Sequence, residues 1–432
     1  MKHTTYRYAG LQHVSTPGLS IAKAAERLRR MAYSEERLMR LLASRIVSIP
    51  QRDIKVLLGR LQYEASLHAD ALRNRILEMR TSKSKLEVAP DSALTVLFDE
   101  AEHLPGTYPF LLAVTQVLKP ALLAAYKAYL DTTNDLADYP GVRIMRHHVT
   151  EEEEHLHLLT LALDDLQPTE EELQVGAEWK AALTTFLAAA GGIDGTEPRA
   201  EAPSRIASKQ PYTLPRELAR DEILPRVWDY VAPPLEDVAA RLDYMLGIRL
   251  SEINVAEGLA IVLCETPNMP WSFYYDISRH CWDEMRHSLF GEASIETLYA
   301  QRGAIPMRDY EGVYVTEAPP LEQYAVLGLE VEGQNMKYPP GKRQEWEFAR
   351  DAARQPLVTT FQDFDWADEV LHVNIARRQL NTWFEGGLKE IGSFAKNGKQ
   401  HRTEVKQRYS PTHIQPSRNN GKASDDVRET SE

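Results

Sequence analysis

The amino-acid sequence predicts an all-α protein made of two helical bundles in tandem. Apolar residues recur at intervals of three and four over long segments, as they do along one face of a helix. No segment longer than a few residues alternates apolar and polar side chains as a half-buried strand does. Residues 191–234 are rich in Pro, Gly and small polar residues and separate two halves of similar outline. This composition indicates a linker between the bundles.

The first bundle is predicted over residues 19–190, after an N-terminal extension of residues 1–18. Its helices are expected over residues 19–49, 51–80, 109–137 and 142–166. Pro50 ends the first helix, because proline has no amide hydrogen to donate and its ring clashes with the preceding turn. The connection to the second helix is so short that the two must be antiparallel neighbours.

The second bundle is predicted over residues 235–394. Its helices are expected over residues 235–265, 272–302, 321–338, 343–354 and 357–388. Beyond it, residues 395–432 are polar and poor in apolar side chains, so they bury too little surface to become ordered. We therefore expect this last segment to be a disordered tail.

The composition narrows the classes of function. The chain has 432 residues, of which 43% are hydrophobic and 26% charged, as is typical of globular proteins. Its net charge of −13 argues against nucleic acid and against an anionic membrane as partners. The sequence has neither a run of 18 apolar residues nor an N-terminal signal sequence, and it has only two cysteines. We expect a cytoplasmic protein with reduced thiols.

One short pattern, Glu-x-x-His, occurs twice in similar surroundings, in WDEMRHS (residues 282–288) and in WADEVLHV (residues 366–373). Residues three apart on a helix differ by ~60° around the axis and ~4.5 Å along it, so the carboxylate and the imidazole point toward one place. Apolar neighbours put both pairs near the buried face of their helices, where Glu and His need partners. The predicted metal ligands are Glu284, His287, Glu369 and His372.

Two further ligands are predicted from hairpin geometry, since residues that face each other across an antiparallel pair lie about equally far from the turn. In the first hairpin, counting back from Glu284 leads to Glu257, an isolated acid among apolar residues. In the second hairpin, counting back from Glu369 leads to Glu345. These two glutamates complete a predicted set of six ligands.

The sequence leaves two points of this ligand set open. Glu347 is the nearest alternative to Glu345, and Glu332 is another if the YPPGK segment is an insertion within the hairpin. His280 lies one turn before Glu284. It is either an additional ligand, a partner of a ligand, or an ordinary helix histidine.

The first half contains a weaker version of the same plan. Glu154 and His157 correspond to the second Glu-x-x-His pair, but YEASLH, residues 63–68, has Ala65 where the first pair has its glutamate. Because an expected ligand is missing, we predict that this half is a metal-free structural domain. The residues that could still form a second site with Glu154 and His157 are Glu36, Glu64, His68 and Asp131.

The constellation E257…E284-x-x-H287…E345…E369-x-x-H372 resembles that of the dinuclear carboxylate proteins of the ferritin-like superfamily. The resemblance covers residues 235–388. It implies an antiparallel helical bundle that holds two iron ions, less often manganese or a mixed pair, with O2 as co-substrate and an external electron donor. The donor types agree, because carboxylates and imidazoles without a thiolate favour iron or manganese over structural zinc.

The resemblance predicts a non-haem di-iron oxygenase or oxidase that acts on a small organic molecule by hydroxylation, N-oxygenation or desaturation. Aromatic residues around the site, among them Trp271, Phe273 and Trp346, could line a substrate pocket. An alternative from another class is a non-catalytic helical scaffold or partner-binding protein in which the Glu and His residues form buried ion pairs. A metal-dependent hydrolase in the same bundle is a third hypothesis. The oligomeric state stays open, with a homodimer as one arrangement.

Overall fold

The computed structural model describes residues 6–234, 236–384 and 386–410. Within these ranges the regular secondary structure is almost entirely helical, which confirms the all-α prediction. The helices of the first half are α1 (Ile21–Ser48), α2 (Arg52–Glu78), α3 (Ser92–Ala101), α4 (Thr107–Ala113), α5 (Lys119–Thr132), α6 (Tyr139–Asp164) and α7 (Glu170–Ala189). The π-helical segment Val114–Leu118 joins α4 to α5, and short 3₁₀ turns occur at Arg7–Gly10 and Lys83–Lys85.

The helices of the second half are α8 (Val238–Ser251), α9 (Ile253–Glu265), α10 (Trp271–Tyr299), α11 (Tyr310–Glu317), α12 (Pro320–Ala325), α13 (Glu332–Asn335), α14 (Lys342–Glu347), α15 (Pro356–Leu380) and α16 (Gly387–Arg408). The π-helical segment Val326–Val331 joins α12 to α13, and Phe348–Ala352 is a second π-helical segment after α14. Two short parallel strands, β1 (Arg226–Val227) and β2 (Met307–Arg308), attach the segment between the halves to the second half.

Helices α1 and α2 form the antiparallel hairpin expected from Pro50. The side chain of Ser20 accepts a hydrogen bond from the amide of Lys23 and so caps the start of α1. Leu28 and Met31 belong to the fully buried face of α1 that forms the core of this half. Apolar spacing along α1 thus sets which side of the helix faces its partners.

The two halves share a core. Helix α2 packs on α10, with Gly59 directly against the side chain of Met285, and α1 packs on α9. The predicted linker, residues 191–234, is irregular apart from β1, yet it buries Leu214, Leu218 and Leu224. It is therefore packed onto the helices rather than free of them.

Most predicted helix boundaries differ from the structure by a few residues, and α3, α7 and α11 were not predicted. Two larger differences concern the second half. The helix predicted over residues 235–265 is two helices, α8 and α9, with a break at Glu252. The predicted tail begins too early, because α16 continues to Arg408, while residues 411–432 lie outside the described residues. Helix α16 packs through only a few buried side chains, including Ile391 and Val405, and so sparse a pattern does not stand out in a polar sequence.

One helical stretch, Thr107–Thr132, is long and apolar enough to cross a membrane by length and composition alone. Most of its most apolar part is buried within the fold, where it packs against α6 and α7. A helix that is apolar on all sides is also what a position in a protein core requires.

Candidate metal centre

Helices α10 and α15 lie against each other and bring the two Glu-x-x-His pairs together. Glu284 and His287 project from α10, and Glu369 and His372 project from α15. All four side chains are buried, the two imidazoles completely. Glu284, His287 and His372 belong to two sets of converging ligand atoms, and Glu369 lies beside these sets without belonging to either.

One set of converging ligand atoms belongs to His280, Glu284, Glu332 and His372, called the His280 group below. One nitrogen or oxygen atom from each residue lies within 4.8 Å of all the others. His280 Nε2 is 2.8 Å from Glu332 Oε1, and His372 Nδ1 is 3.2 Å from Glu284 Oε1. Two imidazoles and two carboxylates at this spacing are a donor set suited to a divalent metal ion.

A second set lies beside it and consists of Glu252, His287 and Asp365, called the His287 group below. Their ligand atoms also lie within 4.8 Å of one another. Glu284 Oε1 is 3.6 Å from His287 Nδ1, while it is 3.2 Å from the Nδ1 atom of His372 in the first group. This carboxylate therefore lies between the two groups, where it could bridge two metal ions.

Two aspartates orient the imidazoles across the helix pair. Asp283 Oδ2 on α10 is 3.3 Å from His372 Nε2 on α15, and Asp368 Oδ2 on α15 is 3.3 Å from His287 Nε2 on α10. Each Nδ1 atom is left to face the carboxylates of the centre. A carboxylate on the outer nitrogen of a metal-binding histidine fixes its tautomer and ring orientation.

The inner atoms of the site test whether a metal ion fits. The buried atoms that lack a hydrogen-bond partner among the described residues include Glu252 Oε2, Glu284 Oε1, His287 Nδ1, Glu332 Oε2, Glu369 Oε2 and His372 Nδ1. Buried polar atoms without partners are unfavourable and uncommon. A cation in each group would provide partners for these atoms, so the residues of both groups fit metal ions.

Two basic side chains contact one side of the centre. Lys342 Nζ is 2.8 Å from Asp365 Oδ2 and 2.7 Å from Glu369 Oε1. Arg249 Nη1 is 2.7 Å from Asp365 Oδ1 and 2.8 Å from Glu252 Oε1. Within the described ranges, no lysine or arginine pairs with the carboxylates of the His280 group. The positive charge therefore lies on the side of the His287 group.

Burial and charge shift the pKa values of these residues. Burial raises the pKa of Glu252 to about 8 and that of Glu369 to about 7. Burial alone would lower the pKa of His287, but the charges of Asp365 and Glu284 outweigh it and raise that pKa to about 10. Because metal ligands bind in their deprotonated form, a metal ion that enters the centre must displace protons.

The predicted ligand Glu257 lies outside both groups. It is buried on α9, where its carboxylate pairs with basic side chains from α2 and from the segment between the halves. The thiol of Cys281 on α10 donates a hydrogen bond to the carbonyl of Ala256 on α9. Because α9 and α10 are antiparallel, Glu284, three residues after Cys281, lies opposite residues that precede Ala256, at the junction of α8 and α9. Glu252 at this junction is therefore the residue that reaches the centre.

The predicted ligand Glu345 also lies outside both groups. Its side chain is 35% exposed, and its carboxylate is 3.6 Å from Arg249. The alternative Glu347 pairs with Arg343 near the surface, at 3.0 Å. The other alternative, Glu332, belongs to the His280 group and follows directly after the π-helical segment that joins α12 to α13.

Several residues of the centre were not predicted from the sequence: Glu252, Asp283, Lys342, Asp365 and Asp368. A signal for three of them was present. Both patterns read Asp-Glu-x-x-His, and their first residues are the orienting aspartates Asp283 and Asp368. In addition, a residue that can bind a metal lies four positions before each glutamate: His280 on α10 and Asp365 on α15. Glu252 has no such signal, since its position depends on the break between α8 and α9.

The first half repeats the crossed arrangement of outer carboxylates. Glu64 on α2 is 2.7 Å from His155 Nε2 on α6, and Glu151 on α6 is 2.7 Å from His68 Nε2 on α2. A third group of converging ligand atoms consists of Glu35, His68 and Glu152. The pairs of helices α2–α6 and α10–α15 are thus built on one plan.

A lysine lies inside the group of the first half. Lys119 is fully buried, and its Nζ atom is 2.6 Å from Glu152 Oε1 and 3.3 Å from His155 Nδ1. Lys119 follows directly after a π-helical segment, as Glu332 does in the second half. With a lysine at that position and Ala65 in place of a glutamate, the first half favours an ion-pair network over a metal site.

Of the residues proposed from the sequence for a second site, His68 belongs to the converging group and Glu64 contacts His155, whereas the others lie elsewhere. Glu154 and Glu36 each pair with an arginine of α2, and His157 and Asp131 are exposed. The buried Glu-x-x-His pair is Glu152–His155, two residues earlier in the acidic run. Because residues 151–154 are all glutamates, the sequence pattern does not determine which of them faces inward.

A small apolar cavity of about 50 Å³ lies next to the His280 group, between α9, α11, α12 and the π-helical segment after α12. Val331, directly before a member of the group, and Tyr324, whose ring centre is 6.1 Å from that of His280, line it on the side of the centre. The aromatic residues expected to line a pocket, Trp271, Phe273 and Trp346, are not among its described lining residues.

Comparisons with known protein families, with characterised proteins and with solved structures find no match to this chain. We therefore infer the function from the residues and geometry of the centre.

Proposed function

We propose that this protein is a metal-dependent oxidoreductase, a non-haem di-iron oxygenase or oxidase that uses O2 to oxidise a small organic molecule. The observation that carries the proposal is that two groups of buried histidine and carboxylate donors converge on Glu284. The likeness of this donor set to that of dinuclear carboxylate proteins supports it further. Manganese or a mixed pair of ions suits the same donors.

In this proposal each group holds one ion. The His280 group would hold the first, the His287 group together with Glu369 would hold the second, and Glu284 is close enough to both groups to contribute to either. Bound iron would supply the capacity to reduce O2 with electrons from an external donor while the organic substrate is oxidised. The residues of the chain bind and orient the ions, and they exclude bulk water because all of them are buried.

The orienting aspartates prepare the histidines for binding. Asp283 and Asp368 accept a hydrogen bond from the Nε2 atom of His372 and His287 respectively. This contact favours the tautomer that carries its proton on Nε2 and leaves the lone pair on Nδ1 for a metal ion.

The cavity beside the His280 group favours a small and mostly apolar substrate. Its lining is chiefly aliphatic. Two polar atoms of lining residues, Tyr324 Oη and Gln323 Oε1, have no hydrogen-bond partner in the described part of the chain. A single polar group on the substrate could bind to them and fix its orientation.

Metal analysis tests the proposal. Protein from iron-replete cells is analysed for iron and manganese, together with the double variant Glu284→Ala/His372→Ala, which removes two donors of the His280 group. We expect iron or manganese in the wild type and a loss of metal in the double variant. Glu257→Gln is the matched control, since it alters a buried glutamate outside both groups and should retain the metal.

A second measurement addresses the reaction. Ferrous iron is added to metal-free protein without oxygen, and the optical spectrum and O2 consumption are followed after O2 is admitted. We expect a new absorption and O2 uptake that the double variant lacks. Iron-replete wild-type protein without any metal would overturn the proposal, and substrate turnover that needs metal but no O2 would favour a hydrolase.

A non-catalytic scaffold is the second candidate, because Lys342 and Arg249 already pair with carboxylates of the centre. Such a protein would hold its Glu and His residues as buried ion pairs. It predicts metal-free protein with the same thermal stability in the presence and absence of added metal. A rise in the melting temperature with ferrous or manganous ion, absent in the double variant, would exclude this candidate.

A further inference from the structure

Lys342 places an ammonium group inside the proposed metal centre. Its side chain is fully buried, and its Nζ atom is 2.8 Å from Asp365 Oδ2, 2.7 Å from Glu369 Oε1 and 4.0 Å from Glu252 Oε1. Two of these carboxylates, Glu252 and Asp365, belong to the His287 group, and the third, Glu369, lies beside it. The ammonium group and a second metal ion would therefore compete for these carboxylates, most directly for Asp365 Oδ1, which is 2.9 Å from Lys342 Nζ and 3.4 Å from His287 Nδ1.

We propose that Lys342 is a gate for the second metal ion: its ammonium group occupies the second cation position, and an ion binds there only when the side chain withdraws. This inference rests on the metal centre proposed above. The His280 group, whose carboxylates contact no lysine or arginine in the described structure, binds its ion first and without displacing a side chain.

The charges of the site favour replacement over joint occupation. Two positive side chains, Lys342 and Arg249, already oppose the three carboxylates. A divalent ion placed beside the ammonium group would meet a like charge at contact distance in a buried site, where repulsion is weakly screened. Departure of the lysine removes this repulsion and frees the oxygen atoms for the ion.

The first half of the molecule provides an internal precedent. There, Lys119 lies among residues arranged on the same crossed plan, and its ammonium group contacts Glu152 and His155 directly. In this arrangement of helices, the ammonium group of a buried lysine can thus occupy the place of a metal ion. The two halves differ in that the second half retains a complete group of four donors beside its lysine.

The position of Lys342 in the chain gives the side chain a way out. It is the first residue of the short helix α14, directly after the exposed residues 337–340 and Gly341. Gly341 has φ of +148°, and a Cβ atom there would overlap neighbouring carbonyl groups, so glycine is required at this turn. A shift of this short helix can carry the ammonium group outward while α10 and α15 keep the other ligands in place.

Titration of metal-free protein with MnCl2, by calorimetry and by electron paramagnetic resonance, tests the gate. Wild type is compared with Lys342→Met, in which methionine keeps the length of the side chain without its charge. We expect one tightly bound Mn2+ in both proteins and a second Mn2+ that binds at least about 100-fold more tightly to the variant. Lys55→Met, which removes a buried lysine paired with Glu257 outside the centre, should bind Mn2+ as the wild type does, although loss of this buried pair lowers its stability.

The outcomes separate this inference from the proposed function. Two ions bound with equal affinity by wild type and Lys342→Met, or one ion bound by each, would show that Lys342 is not a gate while the metal centre stands. If neither protein binds Mn2+, the proposed metal centre itself is wrong.

A second experiment uses only the wild type and does not depend on the folding of a variant. A short pulse of reductive methylation labels accessible amines, and mass spectrometry of peptides measures the label on Lys342. Excess MnCl2 should raise the labelling of Lys342 several-fold and leave that of Lys55 unchanged. Binding of a second Mn2+ without a rise in the labelling of Lys342 would overturn the gate.

Discussion

The residues that orient the histidines lie one position from the ligands in sequence but act on the opposite helix. Asp283 precedes Glu284 on α10 and contacts His372 on α15. Asp368 precedes Glu369 on α15 and contacts His287 on α10. Arg286 contacts both aspartates. The two helices are therefore joined by charged hydrogen bonds on the outer side of the centre, and the inner side is left to the ligands.

Replacement of either aspartate by asparagine should weaken metal binding. The change keeps the shape of the side chain but removes the charge that holds the outer nitrogen of the histidine. We expect a loss of about 10- to 100-fold in the affinity for Mn2+, measured by calorimetry. Asp283→Asn should act on the ion of the His280 group, and Asp368→Asn on that of the His287 group.

Asp276→Asn is the control for both variants, because Asp276 is also an α10 aspartate that contacts α15, through Arg378 at 2.6 Å. It should bind Mn2+ with the affinity of the wild type. Unchanged affinity in all three variants would contradict the orienting role.

In the first half, His68 should make stability depend on pH. Burial alone would lower its pKa, but the charge of Glu35 and hydrogen bonds to Glu151 and Glu35 raise it to about 9, from 6.5. A raised pKa means that the stabilisation is complete below pH 6.5 and is lost as the pH rises through 9. At ~1.36 kcal/mol per pKa unit, His68 contributes about 3 kcal/mol at low pH.

The measurement is urea unfolding of metal-free wild type and His68→Gln between pH 6 and pH 10. The difference in the free energy of unfolding should be largest near pH 6 and shrink toward pH 10. A difference that grows with pH would show that His68 is buried in its neutral form.

At the scale of helices, small departures from regular geometry decide which carboxylates enter the centre. The break between α8 and α9 turns Glu252 toward the centre, while Glu257 on the continuing helix faces α2 instead. The π-helical segment Val326–Val331 ends directly before Glu332. Segments of this kind add a residue to a helical turn and are frequent at functional sites.

The packing of this π-helical segment on α15 should control the affinity for metal. A Cβ atom at Gly328 would overlap that of Ala376 on α15. Gly328→Ala should therefore push the segment, and Glu332 with it, away from His372. We expect a loss of about 1–3 kcal/mol in the free energy of unfolding, as for other overpacked cores, and weaker binding of the first Mn2+.

Gly392→Ala on α16 is the control, since nothing lies within 4 Å of a Cβ atom at that position. Because alanine favours a helix over glycine, this variant should be stabilised by about 0.5–1 kcal/mol and bind metal normally. Equal metal affinity in the two variants would mean that the segment does not position Glu332.

At the scale of the whole molecule, the two halves share the crossed arrangement of carboxylates and histidines but differ in the cation that their buried carboxylates face. The second half has two adjacent groups of donors, whereas the first half has one group, with the ammonium group of Lys119 in contact with its Glu152. Contacts of α2 with α10 and of α1 with α9 join the halves. The first half thus supports the helix α10 that carries three donors.

Lys119→Met should lower the stability of the protein, and added metal should not restore it. The change leaves Glu152 buried without its cation, and breaking a buried pair costs about 3–5 kcal/mol. Thermal unfolding with and without MnCl2 should show the same loss. Lys127→Met, which breaks a half-exposed pair with Glu153 on the same helices, should change stability by less than about 1 kcal/mol. Full recovery of Lys119→Met by Mn2+ would instead reveal a second metal site.

The sequence by itself determined the all-α class, most of the long helices and three donors that converge in the interior, Glu284, His287 and His372. These are local properties, because the helical repeat sets which residues share a face and a spacing of three brings Glu and His to one place. The paired aspartates were also present in the pattern, one position before each glutamate.

Only the tertiary structure decided the rest of the centre. Glu252 and Glu332 enter it because of a helix break and a π-helical segment. Both irregularities change the direction in which the following side chains point, and counting residues along a regular hairpin does not predict that change. Lys342 reaches the carboxylates from a short helix beside a loop. Which charges meet in the interior depends on how the helices pack, and packing joins residues that are far apart in the sequence.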